Sequence, residues 1–171
     1  ARDQYEVGTF RPNVRSLIAF NTDSEITPTV RTNGVLMGQI TPRGGVISGS
    51  SGVVHFDGWN WEDAVVKMVD GVHLNWPTTH HKHNKLGKVD IRKSKTYDQS
   101  KHEITTYFSE AKAYAAAYPE ASSREMDVRH EGMRGLFDGS LALYVHADDA
   151  REISEAVHFK RTMGISRMVI V

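Results

Sequence analysis

His146 is the residue of this chain whose type and position best suit chemistry at a binding site. It directly follows a short apolar run, residues 141–145, and precedes a polar stretch with two adjacent aspartates. A run of this length is typical of a buried strand, so we expect the imidazole at the carboxyl end of that strand. Substrates and ligands of α/β proteins bind at that end of the sheet, which makes His146 a candidate functional residue.

Three further histidines, His80, His81 and His83, lie in a polar and basic stretch that covers residues 78–100. A metal site is disfavoured there, because neighbouring residues of an extended chain point in opposite directions and no acidic or cysteine ligand stands beside them. The stretch has no hydrophobic periodicity, which predicts an exposed basic loop. We expect these histidines to be solvated, with contact to an anionic substrate as the functional alternative.

A glycine-rich stretch, PRGGVISGSSG at residues 42–52, follows an apolar strand predicted over residues 35–41. Its backbone N–H groups could cradle an anion or a carbonyl oxygen, as nest-forming loops do. The spacing matches neither the dinucleotide-binding pattern nor the P-loop pattern. The candidate substrate-side residues of this loop are Arg43, Gly44, Gly45 and Ser48. The alternative is a connecting loop whose glycines only supply positive φ angles.

The segment that positions His146 is predicted to be a complete strand, helix and strand over residues 141–171. Asp148 or Asp149 can cap the helix, and Gly164 is expected to end it. Between these positions, apolar residues recur at helical spacing, namely Ile153, Ala156, Val157 and Phe159. Two apolar strands joined by one amphipathic helix predict a βαβ unit with parallel pairing.

The remaining elements are expected to alternate between helix and strand. The predictions are a helix over residues 24–34, a helix from Asp57 or Asn60 through Val69 to near Gly71, a strand over residues 72–76, a helix over residues 101–118 and a weak helix that begins at Ser122 or Ser123. This alternation is typical of an α/β fold.

The amino-acid composition limits the classes of partner that this protein could bind. The 171 residues carry 21 lysines and arginines against 21 aspartates and glutamates, so no net field attracts nucleic acid or an anionic membrane. The absence of cysteine excludes disulfides, thiolate catalysis and cysteine-based zinc sites. No apolar run reaches the length of a membrane span, and no signal peptide is visible. We therefore expect one domain that contacts a small-molecule substrate through local sites.

Three stretches together resemble the metal-dependent amidohydrolase superfamily, and in particular its imidazolonepropionase-like branch. They are PRGGVISGSSG, DGWNWEDA and SLALYVHADDAREISEAVHFKRTMGISRMVIV. The resemblance implies a (β/α)₈ TIM barrel in which the strand ending in YVHA is the fifth and His146 binds the catalytic metal. It also implies a divalent cofactor, zinc by preference, and hydrolysis of an amide or cyclic C–N bond through a metal-activated water.

The diagnostic H-x-H pair and the late aspartate of that family have no counterpart at the matching positions of this chain. A complete barrel needs about 250 residues. The expected fold class is therefore α/β, as a partial TIM barrel of parallel strands and crossover helices that is incomplete at both ends. Residues 1–171 would form a single central fragment, inactive and without stably bound metal by itself. Its open strand edges predict homo-oligomers.

The alternative hypothesis is a non-catalytic α/β module of similar descent. Such a module would use the glycine-rich loop and the basic loop to contact a ligand or a partner. The two hypotheses differ at His146, which is a metal ligand of the parent enzyme in the first and a structural residue in the second.

Overall fold

The computed structural model describes residues 8–85, 88–117 and 126–171. After a 3₁₀ turn at Ser16–Ala19, its elements are α1 (Ile26–Thr32), β1 (Met37–Ile40), β2 (Ile47–His55), α2 (Trp61–Ala64), β3 (Val65–Asn75), β4 (His80–Lys85), β5 (Lys88–Lys93), α3 (Tyr97–Ala117), α4 (Val128–Glu131), α5 (Arg134–Asp138), β6 (Ala142–His146), α6 (Ala150–Met163) and β7 (Met168–Ile170). The strands form a five-stranded sheet in the order β1–β2–β3–β6–β7 and a separate two-stranded sheet, β4–β5.

The five-stranded sheet is antiparallel in one half and parallel in the other. β2 pairs antiparallel with both β1 and β3, whereas β6 pairs parallel with both β3 and β7. The prediction of parallel strands throughout is therefore wrong for β1 and β2. The connection from β1 to β2 covers only residues 41–46, which is too short for the crossover that a parallel pair requires. The fold is a mixed α/β arrangement.

The glycine-rich stretch is a loop only in its first part, and the second part forms the start of β2. This corrects the prediction of a loop over residues 42–52. Close packing requires the glycines there: a Cβ on Gly49 would lie 2.5 Å from the Val14 carbonyl oxygen, and one on Gly52 would lie 2.8 Å from that of Met68. In this strand, glycine marks a close approach of backbones.

β3 occupies a segment whose apolar spacing predicts a helix as far as Val69. Asn60, one of the two predicted caps, does cap a helix, because its side chain accepts a hydrogen bond from the Asp63 backbone N–H at 2.8 Å. That helix, α2, ends after one turn at Ala64, and the chain continues directly as β3. The helix prediction is wrong because the valine-rich sequence fits a strand equally well and pairs with β2 along most of its length.

An antiparallel hairpin occupies most of the stretch predicted as an irregular basic loop over residues 78–100. β4 and β5 pair along their whole lengths, and α3 already begins at Tyr97. The described side chains of the hairpin, at His80, His81 and residues 91–93, are exposed. A solvent-exposed ribbon needs no apolar alternation, which explains why its sequence lacks a periodic signal.

The strand, helix and strand predicted over residues 141–171 are confirmed. The Asp149 side chain caps α6 by accepting a hydrogen bond from the Arg151 backbone N–H at 2.8 Å. Gly164 ends the helix in the left-handed conformation, with φ +75°. β6 and β7 then pair in parallel, as the βαβ pattern predicts.

Two long helices, α3 and α6, cover one face of the parallel strands. α3 runs slightly earlier than the helix predicted over residues 101–118, and it buries Ile104, Phe108 and Ala111. These side chains share one apolar core with alternate residues of β3 and β6, namely Val72, Leu74, Leu143 and Val145. The opposite face of both strands is left for polar side chains.

The weak helix predicted from Ser122 or Ser123 would begin outside the described residues. Within them, α4 follows Asp127, whose carboxylate accepts hydrogen bonds from the backbone N–H groups of Arg129 and His130. None of the helices along the described residues is long and apolar enough to cross a membrane.

Glu152 is predicted to stabilise the junction between the hairpin and α6. Its Oε1 atom accepts hydrogen bonds from the Thr79 backbone N–H at 2.6 Å and from the Thr79 hydroxyl at 3.1 Å, and both residues are buried. Glu152→Ala would leave these donors without their acceptor, so we expect the free energy of unfolding to fall by about 1–3 kcal/mol in urea denaturation. Glu110→Ala, at an exposed position of α3, is the matched control. Similar small losses in the two variants would contradict the prediction.

Candidate functional site

Two histidines meet at the carboxyl ends of β3 and β6. Asn75, the last residue of β3, lies opposite His146, the last residue of β6. Val72 and Leu74 point into the core beneath the helices. Because side chains alternate along a strand, His73 and Asn75 point to the other face of the sheet. The predicted position of His146 at the carboxyl end of a strand is thus observed.

The imidazole rings of His73 and His146 are in direct contact. His73 Nδ1 lies 2.9 Å from His146 Nε2, and the tautomers decide which nitrogen donates the proton. His73 is 1% exposed, and its Nε2 atom has no hydrogen-bond partner among the described residues. His146 is only half-buried. The pair therefore presents one enclosed and one accessible imidazole.

Tyr144 and Asp70 hold the His73 ring in place. The Tyr144 ring stacks on the His73 ring, with centroids 4.8 Å apart and 4° between the planes. The Tyr144 hydroxyl donates to Asp70, and the same carboxylate accepts hydrogen bonds from Gln39 at 3.0 Å and from Lys67 at 2.6 Å. Burial raises the pKa of Asp70, but the hydrogen bonds from Lys67 and Tyr144 outweigh it and hold that pKa below its ordinary value. Asp70 is therefore an ionised anchor near neutral pH.

Both imidazoles are neutral near pH 7. Burial, helped by the neighbouring His146, lowers the pKa of His73 from 6.5 to about 4. Burial also lowers the pKa of His146, against the opposing effect of Asp148. A neutral imidazole keeps a lone pair on one ring nitrogen, which is the form that binds metal ions.

The histidine pair brings two nitrogens of a type that can bind a metal ion close together. Zinc binds imidazole nitrogen at about 2.0–2.1 Å in tetrahedral geometry, so two nitrogens that bind one ion stand about 3.3 Å apart. The 2.9 Å between His73 Nδ1 and His146 Nε2 is shorter than this separation and is the length of a hydrogen bond, so both rings would have to move slightly and give up that bond to hold one ion. Catalytic zinc sites use three protein ligands. Within the described part of the chain, no group of three histidine, cysteine or acidic side chains could hold a metal, so the two donors do not make a complete site.

Two of the four candidate residues of the glycine-rich stretch, Gly45 in the loop between β1 and β2 and Ser48 at the start of β2, lie at the same edge of the sheet. Asn75 Nδ2 donates to the Gly45 carbonyl oxygen at 2.8 Å and to the Ser48 hydroxyl at 2.9 Å. Asn75 is also the strand partner of His146. Gly45 and Ser48 therefore adjoin the strand ends that carry the two histidines.

The other two candidates of this loop are Arg43 and Gly44. The Arg43 side chain is exposed, and its carbonyl oxygen accepts a hydrogen bond from Arg11 at 3.2 Å. Gly44 has φ +79°, a conformation that glycine adopts without strain. Both residues lie at the carboxyl end of β3, and neither has a described contact with the histidine pair.

The candidate histidines of the hairpin lie on the separate two-stranded sheet. His80 and His81 are exposed, and His80 Nδ1 lies 3.0 Å from the Thr79 hydroxyl. His83 belongs to β4, and its side chain lies outside the described residues. The structure places His80 and His81 on a different sheet from His146, and their contact with a substrate stays a prediction.

The sequence does not predict His73, Tyr144 or Asp70 as site residues. Alternation over residues 72–76 does predict a strand, and it puts His73 on the polar face of that strand. The sequence does not show which strand lies beside it, because the hairpin and, among the described residues, three helices separate β3 from β6 along the chain. A polar residue near the end of a central strand was the one available signal.

His73 is predicted to make folding stability depend on pH. Between pH 6.5 and about 4 the unfolded chain binds a proton on this histidine while the folded chain does not. The stabilisation is therefore complete above pH 6.5 and is lost as the pH falls towards 4, by up to about 3 kcal/mol. In denaturant unfolding with a chelator present, His73→Gln should flatten this pH dependence, whereas His102→Gln, at an exposed position of α3, should retain it. Parallel stability curves for wild type and His73→Gln would contradict the assignment.

Comparison with known proteins identifies a shared fold. No protein-family model matches the chain, and no curated protein matches it. Among solved structures, the chain is similar to the crystal structure of an amidohydrolase from Thermotoga maritima MSB8, with a TM-score of 0.76 and 20% sequence identity. The match covers 95% of this chain and 43% of that chain, so this chain spans less than half the length of its structural neighbour. The chain thus shares a partial, barrel-like α/β fold with part of that protein.

Proposed function

We propose that this chain forms the central part of a metal-dependent hydrolase that acts on amide or cyclic C–N bonds of a small-molecule substrate. The observation that carries the proposal is the contact between His73 and His146 at adjoining strand ends. The two imidazoles are buried or half-buried and neutral, and the neutral form is the one that binds metal ions.

Two lines of similarity support this reading. The stretches PRGGVISGSSG and YVHA resemble the imidazolonepropionase-like branch of the amidohydrolases, and the fold resembles that of an amidohydrolase from Thermotoga maritima. Because the chain spans 43% of that protein, we further propose that it is one fragment of a larger barrel. The remaining metal ligands and the catalytic acid or base would then come from the rest of that barrel, and this chain alone would be inactive.

In this proposal the chain contributes His146 Nε2 and His73 Nδ1 as metal ligands, with zinc as the expected ion. When bound, a divalent ion supplies Lewis-acid activation of water for attack on a carbonyl carbon. The lowered pKa values of the two histidines keep both rings neutral near pH 7, and a bound ion would take the place of the hydrogen bond between their nitrogens.

Tyr144 and Asp70 act as positioning residues. The stacked Tyr144 ring restricts the His73 imidazole, and the hydrogen bond to ionised Asp70 fixes Tyr144 in turn. Such outer contacts orient a ligating ring and set which nitrogen it presents. On the accessible side, the exposed loop at Gly45 is proposed to contact the substrate, held against β3 by Asn75.

The histidine pair predicts zinc binding that depends on His146. Two ligands bind more weakly than the three of a catalytic site, so the suitable measurement is a zinc titration followed through the imidazole NMR signals. We expect saturable shifts of the His73 and His146 signals. His146→Ala should weaken the response of His73 by at least about tenfold, which is the usual effect of disturbing a metal site.

His102→Ala is the matched control, because His102 is exposed on α3 and lies on a different element from the pair. Circular dichroism of each variant establishes that it is folded. Equal zinc responses of His73 in wild type and His146→Ala would remove the metal-ligand role and favour the non-catalytic α/β module instead.

A further inference from the structure

Arg11 is a buried cation whose hydrogen-bonding capacity is largely unused. The residue is 5% exposed. Its Nη2 atom donates to the Arg43 carbonyl oxygen at 3.2 Å, but Nε and Nη1 have no hydrogen-bond partner among the described residues. A guanidinium has five N–H bonds, one on Nε and two on each Nη. At least three of them therefore lie buried without an acceptor in the described part of the chain.

Such a group is unfavourable for folding unless an anion approaches it. Buried charges in proteins are normally paired and hydrogen-bonded, because a charge removed from water without compensation destabilises the folded state. No described acidic side chain forms an ion pair with Arg11, although six other ion pairs join described residues. The neighbouring Phe10 packs on Tyr107 of α3, with ring centroids 4.6 Å apart, which fixes the backbone beside Arg11.

The guanidinium lies under the loop between β1 and β2, at the edge of the sheet that carries the histidine pair. A Cβ on Gly45 would lie 3.0 Å from Arg11 Nη2 and 2.9 Å from the Thr9 carbonyl oxygen, so glycine is needed for this close approach. The Gly45 carbonyl accepts a hydrogen bond from Asn75, the strand partner of His146. Thr9 and Gly45 are themselves exposed. Arg11 is thus buried, and its guanidinium lies beside an exposed residue of the loop.

We propose that Arg11 forms a binding site for the carboxylate group of a small molecule at this edge of the sheet. The planar guanidinium matches the planar carboxylate, and charge-assisted hydrogen bonds between them are strong and directional. A monoanion balances the single buried charge of Arg11, whereas a phosphate dianion would leave an excess negative charge in the same enclosure. The proposal is independent of the hydrolase assignment, since it requires no metal and no reaction.

The Nε–H signal of Arg11 in a nitrogen-15 NMR spectrum tests this directly. Acetate is the probe, added at constant ionic strength. We expect a saturable shift of the Arg11 signal with acetate and a much weaker response to inorganic phosphate or chloride. Because the bound ligand stabilises the folded state, acetate should also raise the thermal unfolding midpoint of the wild type.

Three variants separate this site from general anion binding. Arg11→Met should abolish the stabilisation by acetate. Arg43 is an exposed arginine of the loop between β1 and β2, and Arg43→Met should retain the stabilisation. Arg11→Lys keeps the charge but loses the planar fork, and it should bind acetate about tenfold more weakly. It serves as the informative variant if Arg11→Met does not fold.

Three results would overturn the proposal. The first is an Arg11 signal that responds to no anion, and the second is an equal response to acetate and chloride. The third is a carboxylate of the chain itself in the role of the ligand: the sequence contains Asp3 and Glu6 shortly before Arg11. Two observations together would show that the partner is internal and that the proposal is wrong. The variant Asp3→Asn/Glu6→Gln would shift the Arg11 signal without added anion, and acetate would shift that signal only in this variant.

Discussion

The parallel pairing of β3 with β6 is the constraint on which the candidate site depends. Gly71 makes that pairing possible, because a Cβ at this position would lie 2.3 Å from the Ala142 carbonyl oxygen and 2.6 Å from the Tyr144 ring. With the backbones this close, the register puts His73 beside Tyr144 and Asn75 beside His146. A shift of one strand by one residue would turn its histidine towards the helix-covered core and break the contact with the other. The contact between the two imidazoles is therefore a consequence of strand register.

The two faces of the parallel strands carry different kinds of side chain. On one face, Leu74 and Val145 join Phe108 and Phe159 in the apolar core beneath the helices. On the other, Asp70, Tyr144, His73 and His146 form a continuous polar row. The apolar face supplies the burial that stabilises the sheet. The stable sheet in turn keeps the two imidazoles buried, and burial favours their neutral form.

Local signals in the sequence predict the part of the fold that is built from local interactions. The cap at Asp149, the stop at Gly164 and the apolar strands on either side are confirmed, because each depends on residues close along the chain. The failures concern pairing between distant segments. The valine-rich start of β3 fits a helix or a strand, and only β2 decides between them. The glycines at the start of β2 are predicted to lie in a loop, yet they lie in a strand and permit close contact with other backbones.

The same distinction explains what was predictable about the site. The position of His146 at a strand end follows from its own sequence neighbours, whereas His73 becomes a candidate only once β3 is known to lie beside β6. Likewise, Gly45 and Ser48 were candidates as loop residues, and Asn75 is the distant residue that connects them to the site. Residues whose roles depend on long-range partners are not identifiable from spacing alone.

We propose that His73 and His146 act together as ligands of one metal ion. X-ray absorption spectroscopy of the zinc-loaded chain tests it most directly, because scattering from imidazole rings reports how many histidines bind the ion. We expect two imidazole ligands in the wild type and one in His73→Gln, with oxygen atoms completing the coordination. A zinc environment that is unchanged by His73→Gln would contradict the proposal that both histidines bind the ion.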